Sequence, residues 1–139
     1  MTTRGSIARL NADLSVTAIY LHCDSHVTGA GQTLINHYQD RAKIDQLMQL
    51  GDLKRLAEGI GQRRTRDRDP RYQYWCTAYG RDSGETDCDA QHYVNAKMWL
   101  DESNQEYYCY LWDGSEWLVS GWGTNHKFRS VAQMLLEQH

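Results

Sequence analysis

Proline and phenylalanine each occur once in 139 residues, and no apolar run approaches the roughly 18 residues of a bilayer-spanning helix. Neither a proline-rich linker nor a bilayer-spanning helix is expected within these residues. Repeats and low-complexity stretches are also missing, so a solenoid and a disordered tail are not expected. The N-terminus, MTTRGSIARL, lacks the apolar core of a signal peptide, and the expectation is a chain that stays in the cytoplasm. Cysteine is scarce as well: Cys23, Cys76, Cys88 and Cys109 do not form the spaced pairs of a structural zinc module, and in the cytoplasm they should be reduced thiols.

What remains fits one domain over residues 1–139, with 40% hydrophobic and 24% charged residues. A chain of this length buries roughly two-thirds of its unfolded surface and needs no disulfide or metal to hold a core. The net charge is −3, but residues 1–72 carry 11 basic against 8 acidic side chains and residues 73–139 carry 4 against 10. A field of two signs can orient a partner, and an acidic chain is not expected to bind nucleic acid directly.

Ile7–Leu10 and Val16–Leu21 read as a hairpin around a polar turn. Leu34, Ile35 and Tyr38 fall at helical spacing, as do Ile44, Leu47 and Met48, and a break near Asp40 separates the two sets. Asp40 suits the cap of the second helix and Gly51 its end; Asp52 should cap a further helical turn within 53–60. Residues 62–71 contain no apolar side chain and read as an exposed loop.

Strands are expected at 72–79, 107–112 and 117–122, with Asp113-Gly114 turning the last two, and a helix at 128–136. Residues 88–100 fit a strand or a helix. The predicted class is α+β: an antiparallel sheet, built from the N-terminal hairpin and the aromatic C-terminal strands, with two to four helices packed mainly on one face.

Reactive groups crowd most densely in LHCDSHVTGAGQT, residues 21–33. On an extended strand His22, Asp24 and His26 share a face, which makes a three-ligand metal site geometrically possible although a second ligand pair is missing. Cys23 and His22 point to opposite faces, which disfavours a cysteine nucleophile. Thr28 to Thr33 offer backbone N–H groups at a helix start but lack the lysine of a nucleotide loop, so Thr28 reads as a helix cap. No cofactor is expected.

Over most of its length the chain resembles a family of small uncharacterised proteins of bacteriophages, prophages and plasmids. The shared positions are His22 and Asp24, Gly29 and Gly31, Leu34, His37-Tyr38, Leu50-Gly51-Asp52, and the block Tyr79-Gly80-Arg81-Asp82-Ser83-Gly84-Glu85. Cys23, Ser25 and His26 stand where the family has tryptophan, glycine and an aromatic residue. The resemblance implies a protein of a mobile element at work in a bacterial cytoplasm and brings no enzymatic activity with it.

These observations point first to a host-directed binding protein, of the kind that inhibits a bacterial defence system such as CRISPR, by steric blockade of a host protein or ribonucleoprotein complex. Its partner-binding residues would be Arg63, Arg64, Arg66, Arg68 and Arg71 of the arginine loop, and Arg81, Asp82, Glu85 and Asp87 of the following loop. Tyr108, Tyr110 and Trp112, on one strand face, would complete the surface unless residues 88–100 cover the sheet. The first alternative is a small-ligand or nucleotide binder or hydrolase centred on His22, Asp24, Arg81 and Glu85. The second is a structural homodimer with no foreign partner.

Overall fold

The computed structural model of the chain describes residues 2–65, 68–103, 107–121, 124 and 127–137. Its first two strands, Gly5–Leu10 (β1) and Val16–Leu21 (β2), pair antiparallel from Gly5↔Leu21 to Leu10↔Val16, as the alternation predicts. Asp13 braces their turn by accepting hydrogen bonds from the Ser15 N–H and hydroxyl. A π-helical turn at Val27–Gly31 leads into Gln32–His37 (α1), and Arg41–Leu50 (α2) follows the expected break. The Asp40 carboxylate accepts from the Ala42 N–H, and Gly51, at φ +76°, ends the helix. Thr28 is exposed and caps nothing, because the π-helical turn begins ahead of it at Val27.

The remaining strands are Leu53–Arg55 (β3), Thr77–Ala78 (β4), Gln91–Tyr93 (β5), Tyr108–Trp112 (β6), Trp117–Gly121 (β7) and Arg129–Ser130 (β8). Tyr79–Ser83 (α3), Ala96–Glu102 (α4) and Val131–Glu137 (α5) complete the helices. Among the described residues the sheet runs β4-β3-β2-β1-β6-β7-β8, with β5 also beside β2. It is mostly antiparallel; β1–β6 and β2–β3 pair parallel. The α+β class stands, with five α-helices among the described residues where two to four were expected. No helix among the described residues is long and apolar enough to cross a membrane.

Both sheet faces are covered. On one, Ile7, Ile19, Leu21, Tyr110, Trp112, Trp117 and Val119 pack against apolar side chains of α1, α2 and α5. On the other, Ala8, Val16, Ala18, Cys109 and Leu111 pack against Trp99 of α4. Residues 88–100 thus contain both a strand and the start of a helix, and the helix supplies the cover. Complete burial of one large apolar side chain stabilises by about 1.5–3 kcal/mol. The core rings keep that gain because their polar tips find acceptors: Trp117 Nε1 donates to the Tyr38 carbonyl (2.8 Å), Tyr110 Oη to the Ser25 carbonyl (2.6 Å) and Trp99 Nε1 to Ser6 Oγ (2.8 Å).

Tyr110 and Trp112 are therefore core residues and not part of an exposed aromatic platform; Tyr108, half-buried, stacks on Tyr110. Two element assignments also change. Leu53 pairs with Leu21, and the Asp52 carboxylate accepts from the Tyr20 N–H (2.9 Å), so 53–55 is a strand where a helical turn was expected. Of 72–79, only Thr77–Ala78 forms a strand: Asp69 caps a 3₁₀ turn over Pro70–Tyr74 by accepting from the Arg71 N–H. The C-terminal helix starts at Val131, behind the short β8.

Candidate functional site

The segment from Gly59 to Thr77, which contains the arginine loop, is built by cations. It returns on itself through Gly59, whose N–H donates to the Tyr74 carbonyl and whose carbonyl accepts from the Cys76 N–H, both at 2.8 Å. Trp75 lies so close to Gly61, at φ +72°, that a Cβ there would stand 2.3 Å from the indole; only glycine fits. Apolar burial is not available in 62–71, and guanidinium groups instead tie together the backbone carbonyls on either side of it, at Ile60 and from Tyr72 to Cys76.

Arg55 donates to the carbonyls of Gln73 (2.6 Å) and Trp75 (3.3 Å). Arg64 Nη2 donates to the Tyr72 and Trp75 carbonyls and to Thr77 Oγ1 (2.5 Å). Arg81 reaches the carbonyls of Ile60 (2.8 Å) and Cys76 (2.9 Å) and pairs with Asp82. A hydrogen bond from a charged donor contributes about 1.5–3 kcal/mol, enough for such a frame to order a loop.

Rings fill the spaces between these forks. The Arg64 guanidinium lies 4.4 Å from the Tyr72 centroid, Tyr72 and Trp75 are 5.6 Å apart, and Arg71 stands 5.2 Å from the Trp75 centroid. Aromatic and cationic side chains interleave here. Asp82, with a side chain only 2% exposed, closes the frame by accepting from the N–H groups of Ala78 (2.8 Å) and Arg64 (3.1 Å). Burial raises the pKa of that carboxyl, but the Arg81 hydrogen bond and the two backbone donors together hold it below the usual value of 3.8.

Arg64, Arg81 and Asp82 are thus braces. Arg63, Arg68 and Tyr74 face outward, and the two arginines have no hydrogen-bond or ion-pair partner among the described residues. Arg71 is exposed but held by Asp69 (2.7 Å). Arg66 lies outside the described residues. Glu85 and Asp87 are exposed beyond α3, where Asp87 takes φ +59°.

At the end of β2 the expected constellation is dispersed. His22 Nδ1 meets Tyr20 Oη at 2.8 Å, and its ring stands edge-on to Tyr79. Asp24 adopts φ +58°, which ends the extended alternation, and its carbonyl accepts from the Ala30 N–H (3.0 Å). His22, Asp24 and His26 therefore do not converge, and among the described residues no group of three His, Cys, Asp or Glu side chains could hold a metal. Arg81 turns to Ile60, Cys76 and Asp82, so the structure does not assemble it with His22, Asp24 and Glu85. In their place Lys54 Nζ contacts Ser83 Oγ (2.8 Å) and stands 5.3 Å from the Tyr79 ring.

Arg55, Tyr72, Tyr74, Trp75 and Thr77 are functional candidates that sequence reasoning missed. The signal was available: arginines at 63, 64, 66, 68 and 71 run directly into rings at 72, 74 and 75, two residues after a Gly-Ile-Gly turn is complete. Comparison with known proteins matched no family model, no curated protein and no solved structure.

Proposed function

We propose that the chain is a host-directed binding protein of a mobile genetic element, acting in a bacterial cytoplasm by steric blockade of a host protein or ribonucleoprotein complex, such as a CRISPR-type defence effector. The observation that carries this reading is the cation-braced segment 59–77. Its described backbone, at 59–65 and 68–77, and its rings are held before any partner arrives, so association loses little ordering entropy. The resemblance to phage and plasmid proteins supplies the setting.

Charge supports the same surface. Residues 53–82 hold eight basic against four acidic side chains, a net +4, which leaves −7 on the remainder of a chain whose total is −3. Such a separation steers one face towards an anionic partner and repels it from the other.

The test is a photo-crosslinking residue in place of the exposed Gln73, expressed in defended bacterial cells, with captured adducts identified by mass spectrometry. The expected result is one dominant macromolecular adduct that disappears when Arg63→Glu and Arg68→Glu are combined, together with restored infection of defended cells by the unmodified protein. An adduct pattern indifferent to the charge reversal would overturn the reading. The Lys54–Ser83 contact favours a second reading, a small-ligand site or hydrolase beside Tyr79, which serine-directed labelling lost in Lys54→Met would support.

A further inference from the structure

We infer that the segment 59–77 takes single-stranded nucleic acid, with phosphates on Arg63 and Arg68 and a base stacked on Tyr74. The inference rests on the reading that this segment is the contact surface, and it names the chemistry of the partner. Three observations carry it. Arg63 and Arg68 are exposed, with no hydrogen-bond or ion-pair partner among the described residues, so their planar forks remain available for phosphate oxygens. Tyr74 is 51% exposed at the end of the 3₁₀ turn, between Tyr72 and Trp75 in the chain, whose own rings meet tilted at 5.6 Å, and so presents an open ring face beside them in sequence. The local charge is +4 in an otherwise acidic chain.

A base has two π-faces and a charged backbone at a fixed reach, which is what alternating cations and rings select. An acidic protein surface would use the arginines and leave Tyr74 without a planar partner. Among the described residues of the segment there is no groove-reading helix for duplex DNA; their one helical element is a single 3₁₀ turn at Pro70–Tyr74. The acidic remainder confines binding to this face, which suits a short exposed strand within a ribonucleoprotein better than a long free polymer.

The experiment is fluorescence anisotropy of a labelled oligouridine and a labelled oligothymidine, each of about 12 nucleotides, with the full chain. Two phosphate contacts predict an affinity roughly sevenfold weaker at about 200 mM than at about 50 mM salt. Tyr74→Ala should weaken binding about tenfold, as loss of one stacked base does. The combined Arg63→Glu and Arg68→Glu change should abolish binding. Unchanged thermal unfolding of these surface variants shows that the losses are not losses of fold.

Absence of saturable binding at low salt overturns the inference. If the Gln73 crosslink still depends on Arg63 and Arg68, only the nucleic-acid assignment falls. If that dependence is missing too, the contact surface itself was misassigned. Displacement of the oligonucleotide by polyglutamate at equal charge, with Tyr74→Ala without effect, would make an acidic protein the partner and overturn the inference equally.

Discussion

The β6–β7 strand pair and the segment 59–77 are both rich in rings, and they become ordered by opposite means. In β6–β7 the rings lie under helices; Trp117 and Tyr110 are fully buried and donate from their polar tips to backbone carbonyls. In the segment the rings are half-exposed, and it is the cations Arg55, Arg64 and Arg81 that reach the carbonyls. The first arrangement converts removed apolar area into stability. The second converts hydrogen bonds into a stiff surface that stays accessible to a partner.

Breaking each side in turn should separate the two contributions. Trp117→Ala leaves a large cavity under α1 and orphans the Tyr38 carbonyl; a loss of about 3–5 kcal/mol is expected in urea unfolding, enough to remove most of a domain's stability. Arg81→Met leaves Asp82 buried without its cation and should cost about 3 kcal/mol, with loss of partner binding as the frame opens. Retention of binding in a folded Arg81→Met protein would show that the frame is not what organises the surface.

The pH dependence sharpens the same point. The Asp82 carboxyl titrates below 3.8 in the folded chain, so its contribution is complete above about pH 4 and fades as pH falls through the folded value. Asp82→Asn should be less stable near neutrality, and its acid unfolding below about pH 4 should be shallower than that of the parent. Equal acid slopes would exclude Asp82 as a contributor. The smallest effect belongs to Tyr74→Ala, which should leave stability within about 0.5 kcal/mol while weakening partner binding.

Much of the fold was legible because it follows period and punctuation. The β1–β2 hairpin, the break at Asp40 and the Asp113-Gly114 turn each follow from side chains that act within a few residues of themselves. What was not legible depends on distant partners. Alternation in Tyr108-Cys109-Tyr110-Leu111-Trp112 marks two faces but cannot say which helices cover them, and Trp99 settles that through Ser6, 93 residues away. The candidate site was harder still. A run without apolar residues reads as solvated, and nothing local reveals that Arg64 and Arg81 will use their forks on carbonyls of the same loop. The reactive stretch at 21–33 misled for a related reason: Asp24 leaves the extended conformation on which a shared face depends.

The parallel pairing of β1 with β6, from Gly5↔Tyr108 to Arg9↔Trp112, also sets a timetable. During synthesis β1 emerges about 100 residues before the strand that covers its second edge, which at elongation rates of about 5–20 residues per second is an interval of about 5–20 s. Through that interval the hairpin carries an open edge and half a core, the condition under which nascent chains associate wrongly. The centre of the sheet is thus completed late, after β2 to β5 have emerged and ahead only of β7, β8 and α5. Yield in the cell should depend on how well that waiting hairpin is shielded as well as on the final stability of the fold.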